Sequence, residues 1–346
     1  MSFTNRSVWP LLAVAVLAAG CAGGAPQPDG DGAPLAAEWT EDYEALSLLG
    51  EELRAPELTD ERRAELERQL AEARAAYERD PTDADAIIWL GRRTAYLGRY
   101  REAIAIFTEG IAKHPGDARM YRHRGHRFIT VREFDAAIAD LERAAALVRG
   151  KPDEVEPDGM PNAYGIPTST LQSNIWYHLG LAYYLKGEFE AALEAFRACM
   201  EVATTPDMHV ATADWLYMTL RRLGRDEEAA AVLEPITADM QILENHAYHR
   251  RLLMYKGELP PDSLLAGDAS ETLQMATQGY GVGNWYLYNG DRERAREIFE
   301  RVVSLGNWPA FGHIAAEAEL ARMRGGFNGI GRSAATASAP RSRPKA

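Results

Sequence analysis

Apolar and small residues recur along this chain at helical spacing, in pairs of segments separated by a tight turn. In the clearest stretch Trp176, Leu179, Gly180 and Tyr183 stand at i, i+3, i+4 and i+7, one face of a first helix. Gly187-Glu188 supplies the turn, and Ala192, Leu193 and Phe196 line one face of a second helix. Gly180 is expected to face Ala192, two small residues that let the helices approach closely. Pro206 closes the unit, as Pro115 closes an earlier one, because proline removes a donor and disfavours helix in the residue before it. Gly91, Tyr100 and Ala103 return as Gly125, Phe134 and Ala137, each 34 positions on. A helix pair built this way leaves an apolar face open, so neighbouring pairs must stack. At about 1.5–3 kcal/mol for each large side chain buried, stacking rather than helix propensity supplies the stability.

Turn positions at Gly98, Arg132, Gly187, Gly224, Gly257 and Gly290 mark six units of unequal quality. The first carries Ile87, Leu90 and Gly91, then Ala103, Phe107 and Pro115. In the second, Arg124 stands where Leu is expected, which weakens the core there or turns the position to solvent. The fourth keeps Leu216, Leu220, Ala229 and Leu233, and the sixth keeps Tyr286, Ala295 and Phe299. The fifth is poor: Pro260-Pro261 falls where its second helix should start, leaving a short helix near Asp262–Ala266. Ahead of the units, 41–54 and 60–78 predict a helical pair ending on Asp80-Pro81, with Thr59 as an N-cap. Behind them, Pro309–Arg324 alternates apolar and charged groups at helical spacing, the pattern of a solvent-facing terminal cap.

The series Trp-x2-Leu-Gly-x2-Tyr, Ala-x3-Phe, Pro that begins at Trp176 resembles the tetratricopeptide repeat, and the resemblance extends over most of the chain. It implies an all-α fold, a superhelical solenoid of stacked antiparallel helix pairs with terminal capping helices, whose first helices form a concave wall. The expected organisation is an export signal over 1–20, a flexible tether over 21–36 and the N-terminal helical pair over 37–83. Units one and two span 84–151, a proline-rich insertion 152–172, units three to six 173–308, a capping helix 309–325 and a disordered tail 326–346. By the family's positions, Arg92, Arg119, Arg122 and His126 face the groove, with Tyr96, Tyr177, Tyr184, Met218, Arg221 and Arg222 on the same face. Guanidinium forks between tyrosine walls suit carboxylates. Some members of the family clamp a partner's C-terminal carboxylate with basic and Asn residues of the first helices. Arg122 and His126 resemble half of such a clamp, with its Asn partners not evident. The competing reading is that these arginines pair with acids on neighbouring helices.

The distance from Gly125 to Gly180 exceeds the period by 21 residues, and the surplus lies in Lys151–Thr170. Four prolines and four acids bar this segment from a helix and from the core. Its second half holds Met160, Tyr164 and Ile166, enough apolar surface to dock over the concave face. A mobile loop and a lid that grips a ligand are the alternatives.

At the N-terminus, Arg6 is the one charge before an apolar run from Val8 to Ala19, the length of a secretory h-region and too short to span a bilayer. The run ends on Leu17-Ala18-Ala19-Gly20-Cys21, which resembles a bacterial lipobox with Leu one place early. The resemblance implies lipidation of Cys21 and anchoring in the cell envelope, at the outer membrane facing the periplasm, with the membrane touched through the lipid alone. The Pro-, Gly- and Asp-rich stretch after Cys21 then serves as the tether.

A formal net charge of −13 argues against nucleic acid as partner, since no chain-wide positive field displaces phosphate counterions. Charge is nonetheless uneven: Trp89–Phe134 carries ten Lys/Arg against four Asp/Glu. No zincin, nucleophile-elbow or phosphate-loop motif occurs, and Gly279-Tyr-Gly281-Val-Gly283 opens no βαβ unit. The pairs His123/His126 and His246/His249 have chelating spacing without a convincing third ligand. Cys199, in a small-residue stripe, reads as a buried inert thiol. The expectation is therefore an anchored, non-enzymic adaptor without cofactor, binding a protein or peptide with acidic or C-terminal carboxylate groups. A structural assembly factor of an outer-membrane or pilus machine, and a metal-dependent enzyme using the histidine pairs, are the alternatives.

Overall fold

A computed structural model describes residues 42–266 and 272–325. The expectations for 1–36 and 326–346, Cys21 included, lie outside the described residues. The described chain opens with a two-stranded antiparallel hairpin, β1 (Ala45–Leu46) and β2 (Glu52–Leu53), and continues in helices only. α1 (Asp60–Arg79) begins at Thr59, whose hydroxyl accepts the Arg62 N–H at 3.2 Å. Antiparallel pairs follow: α2 (Ala84–Tyr96) with α3 (Tyr100–Lys113), α4 (Ala118–Thr130) with α5 (Phe134–Val148), and α6 (Leu171–Lys186) with α7 (Phe189–Val202). Next come α8 (Pro206–Arg222) with α9 (Asp226–Leu233), α10 (His246–Tyr255) with the one-turn α11 (Pro261–Leu264), and α12 (Thr272–Tyr288) with α13 (Arg292–Ser304). α14 (Phe311–Met323) ends the described array.

Each pair turns through a left-handed residue, at Gly98, Arg132, Gly187, Gly224, Gly257 and Gly290. At Gly187 the φ of +93° lets its N–H and that of Glu188 return to the last carbonyls of α6, satisfying acceptors the helix leaves open. Within a pair the glycine of the first helix receives a large side chain of the second. A Cβ on Gly180 would lie 2.7 Å from the ring of Phe196, on Gly91 2.5 Å from Phe107, and on Gly125 2.8 Å from Leu141. The expected partner of Gly180, Ala192, is thus superseded by Phe196, one helical turn on. The reason is volume: the ring, not the methyl, needs the missing side chain.

Two expectations at the ends are corrected. Residues 41–54 do not form a helix. Gly50 takes φ +93°, and the Ser47 hydroxyl accepts the N–H groups of Leu49 and Glu51, so local side-chain bonding wins over helical spacing and reverses the chain. The helix expected over Pro309–Arg324 is present, but it is no solvent-facing cap: every residue from Gly312 to Ala321 is buried. α14 packs on α12 and α13, and also on α6. Its charged residues are neutralised inside. Glu317 meets Arg132 at 2.5 Å, and Glu319 meets Arg222 at 2.5 Å and Arg322 at 2.7 Å. The two ends of the described array meet there. The Leu48 N–H donates to Glu317, the Trp308 indole N–H donates to the Arg54 carbonyl at 2.7 Å, and Trp308 packs edge-on to Tyr100.

Arg124, the residue out of pattern in the second unit, is only slightly exposed. It forks onto both oxygens of Asp140 on α5 at 2.7 Å and donates to the Thr108 hydroxyl, so a paired charge replaces the expected Leu.

Candidate functional site

The first helices of the first two units, α2 and α4, present one wall of a cavity of about 210 Å³. Arg92, Tyr96, Arg122 and His126 line it, together with Arg127. The opposite wall is the 151–170 insertion, which crosses the groove as an extended strap, returning through a bridge between Val155 and Thr170. In this arrangement the segment lies against the groove.

The docking is polar, against the expectation that Met160, Tyr164 and Ile166 would anchor it. Those three side chains and Val155 are 50–70% exposed. What enters the groove is Glu156, whose Oε2 lies 3.0 Å from Arg122 Nε, an ion pair by distance without the alignment of a hydrogen bond. Asn174 Nδ2 donates to the same oxygen at 3.2 Å, and His123 Nε2 stands 3.7 Å from the other. Backbone carbonyls do the rest: Arg92 Nη1 donates to Pro157 O at 2.8 Å and Arg93 Nη1 to Gly159 O at 2.9 Å. Gly159 lies so close to α2 that a Cβ would come within 2.1 Å of the Tyr96 hydroxyl. Farther along, Thr168 donates to Glu244, which also accepts from Asn162.

Sequence reasoning missed Arg127 and, less obviously, Asn174. Asn174 stands six residues before Gly180, as Arg119 stands six before Gly125, so the repeat register does place it on the same helical face. The insertion between α5 and α6 hid that equivalence.

Charge in the cavity is unevenly matched. Arg122 has Glu156, whereas Arg92 lies over the Trp89 ring and Arg127 over the Tyr100 ring, neither within ion-pair distance of an acid among the described residues. Burial brings the Arg127 guanidinium down to about 10. Burial first, and the neighbouring arginines second, hold His123 and His126 well below the usual imidazole range, and His178 beneath them likewise. His126 and His178 pack with ring centroids 4.3 Å apart, and Phe311 of α14 closes over both. Among the described residues no three His, Cys, Asp or Glu side chains converge to hold a metal ion. His249 instead bonds the Thr237 carbonyl.

The remaining expected groove residues do not join this site. Arg119 is turned outward onto Asp117 and Asp85, both at 2.6 Å. Tyr177, Tyr184 and Met218 are interior. Tyr177 donates to Tyr248 and accepts from Trp215, Tyr184 accepts from Tyr280 and Asn284, and the Met218 sulfur accepts from Arg251. The physical reason is that α12 and α14 fold back over α6 and α8, covering the wall that an open array would leave bare. Arg221 and Arg222 line a separate, shallower concavity with Tyr288, Glu319 and Arg322. Both are already engaged, Arg221 with Asp226 at 2.8 Å and Arg222 with Glu319. Cys199 is fully buried, and burial pushes its thiol up to about 12.

Fold and site together define a class: an array of stacked antiparallel helix pairs. The family model for the tetratricopeptide repeat matches residues 173–205, the unit of α6 and α7. The same pair geometry recurs on both sides of that unit, so the array as a whole has the fold of a solenoid of stacked helix pairs, with the tetratricopeptide repeat itself matched at α6 and α7. No curated protein matches it. Among solved structures, the chain is similar to YrrB, a TPR protein with an unusual peptide-binding site, at 16% identity over 72% of this chain and 97% of that one, with a TM-score of 0.39. It is similar to a tetratricopeptide repeat protein from Parabacteroides merdae at 16% identity over 74% and 93% of the two chains, TM-score 0.42. A third is MamA, at 17% identity over 59% and 99%, TM-score 0.39.

Proposed function

We infer that this protein is a non-enzymic adaptor that captures an acidic segment of a protein or peptide partner at the α2–α4 end of its inner wall, held at the cell envelope by a lipid on Cys21. One observation carries the reading: a carboxylate already sits in that groove, gripped by Arg122 and Asn174, while Arg92 and Arg127 beside it have no acid of their own. A partner's Asp, Glu or C-terminus fits the same grip. Anchoring rests on the lipobox resemblance alone, and no helix among the described residues is long and apolar enough to cross a membrane.

Crosslinking in the native envelope with the double variant Arg92→Gln/Arg122→Gln, followed by mass spectrometry, tests the groove. Capture of the wild-type partner set should fall at least tenfold, and undiminished capture by a folded variant rejects the reading. Cys21→Ser should move the chain from the membrane pellet to the soluble fraction, and retention in the pellet rejects the anchor.

A further inference from the structure

Resting on that reading of the groove, we propose that the 151–170 strap is a tethered competitor for it, and that its Glu156-Pro157-Asp158-Gly159 stretch displays the chemistry of the true partner. That partner is an extended peptide with a carboxylate three residues before a glycine.

Three observations support this. First, the strap meets the groove through polar and backbone groups, Thr168 and Ser169 included. One carboxylate meets Arg122 and Asn174, and the carbonyls of Pro157 and Gly159 meet Arg92 and Arg93. Its larger apolar side chains, Val155, Met160, Tyr164 and Ile166, stay in solvent, so undocking it exposes little buried apolar surface. Second, selectivity is built into the contact. A Cβ at Gly159 would meet the Tyr96 hydroxyl at 2.1 Å and the Arg92 guanidinium at 2.7 Å, side-chain ends that would have to move aside, which favours a glycine at that distance from the acid. Third, the strap under-fills its site. It brings one ion-paired carboxylate to three guanidiniums and leaves a cavity of about 210 Å³ beside Arg127. Asp158 and Glu244 also line the cavity, bonded to the Met160 N–H and to Thr168 and Asn162, but neither comes within ion-pair distance of Arg92 or Arg127. A partner offering a second acid, or a terminal carboxylate, gains where the strap cannot, and that difference drives the exchange.

A site occupied by its own strap binds a free ligand more weakly by the fraction of time it stands open, on the order of ten- to a hundredfold for a strap docked 90–99% of the time. The test uses a fluorescein-labelled synthetic peptide with the sequence of Asp153–Asn162 as the probe, titrated by fluorescence polarisation into the mature full-length chain. Glu156→Ala in the protein should tighten probe binding at least tenfold over wild type. Gly159→Ala, which crowds the strap against Tyr96 and leaves the buried charges intact, should do the same, so the test survives if the first variant folds poorly. Adding Arg122→Ala to either variant should abolish the gain, and a probe with alanine in place of its glycine should bind at least tenfold more weakly. Equal affinity for wild type and both strap variants overturns the competitor role while the groove stands. If no variant binds the probe, the proposal is overturned as well. The Arg92-dependent envelope crosslinking then reports separately whether the groove reading falls with it.

Discussion

The inner wall has two ends that use the same residue type in opposite ways. At the α14 end, Arg132 and Arg222 point inward and meet Glu317 and Glu319, buried acids delivered by a helix of the same chain. At the α2–α4 end, Arg92, Arg122 and Arg127 also point inward, yet the acid offered to them, although buried itself, comes from a strap whose apolar side chains stay in solvent and pairs with one of the three. A buried and fully matched ion pair is a structural element, because removing either partner strands a charge. An under-matched cluster behind a loosely held segment is a place where something else can bind. Arginine count along the chain does not separate these cases. The source of the opposing acid does.

The difference can be broken most severely at Glu317. Glu317→Ala should cost about 3–5 kcal/mol by leaving Arg132 buried without its acid. A thermal melt of the variant checks it, and a loss under about 1 kcal/mol would mean the closed end is held by packing alone. Arg132→Gly sharpens the same point. Five of the six turns are glycine, and Arg132 sits at φ +67°, so backbone strain alone predicts a gain. The ion pair predicts a net loss, since Glu317 would lose the partner it has at 2.5 Å.

Acid probes both ends at once. Burial holds His123 and His178 well below the ordinary imidazole range at the strap end, and His313 down to about 3 at the closed end. Arg122 and Arg127 add to burial for His178, and Arg132 adds to it for His313. Unfolded imidazoles titrate near 6.5, so below that pH the unfolded chain binds protons the folded one refuses. Stability should therefore be flat above about pH 7 and fall as pH drops toward the folded values, by about 1.4 kcal/mol per pH unit for each such histidine. A melting temperature unchanged between pH 7.5 and 5.5 would refute these neutral imidazoles.

The smallest effect belongs to the strap. Glu156→Ala should cost about 1.4–2.7 kcal/mol, the free energy of a strap docked 90–99% of the time, because undocking lets water reach Arg122. Urea denaturation gives the number, and a loss as large as that of Glu317→Ala would erase the distinction between the two ends.

Much of the architecture was legible along the chain because its causes are local. Trp176, Leu179, Gly180 and Tyr183 announce a helix face by spacing alone. The six turn positions follow from a period, Arg132 among them, although it lacks the freedom of glycine. The hairpin at 45–53 was missed because Ser47 and Gly50 act through single hydrogen bonds and one φ angle, which spacing does not register. Asn174 was missed because the insertion shifted its register. α14 is the instructive case. Its helix was legible, but its exposure was not, since Glu317 and Glu319 look like solvent-facing charges until the chain curves enough to bring Arg132, 185 residues away, onto one of them. Sequence by itself determined the helices, their pairing and their turns, all of which depend on neighbours within one repeat. Which part of the inner wall is filled and which is left to a strap was decided only by tertiary structure, because curvature accumulates over many units and sets which distant charges meet.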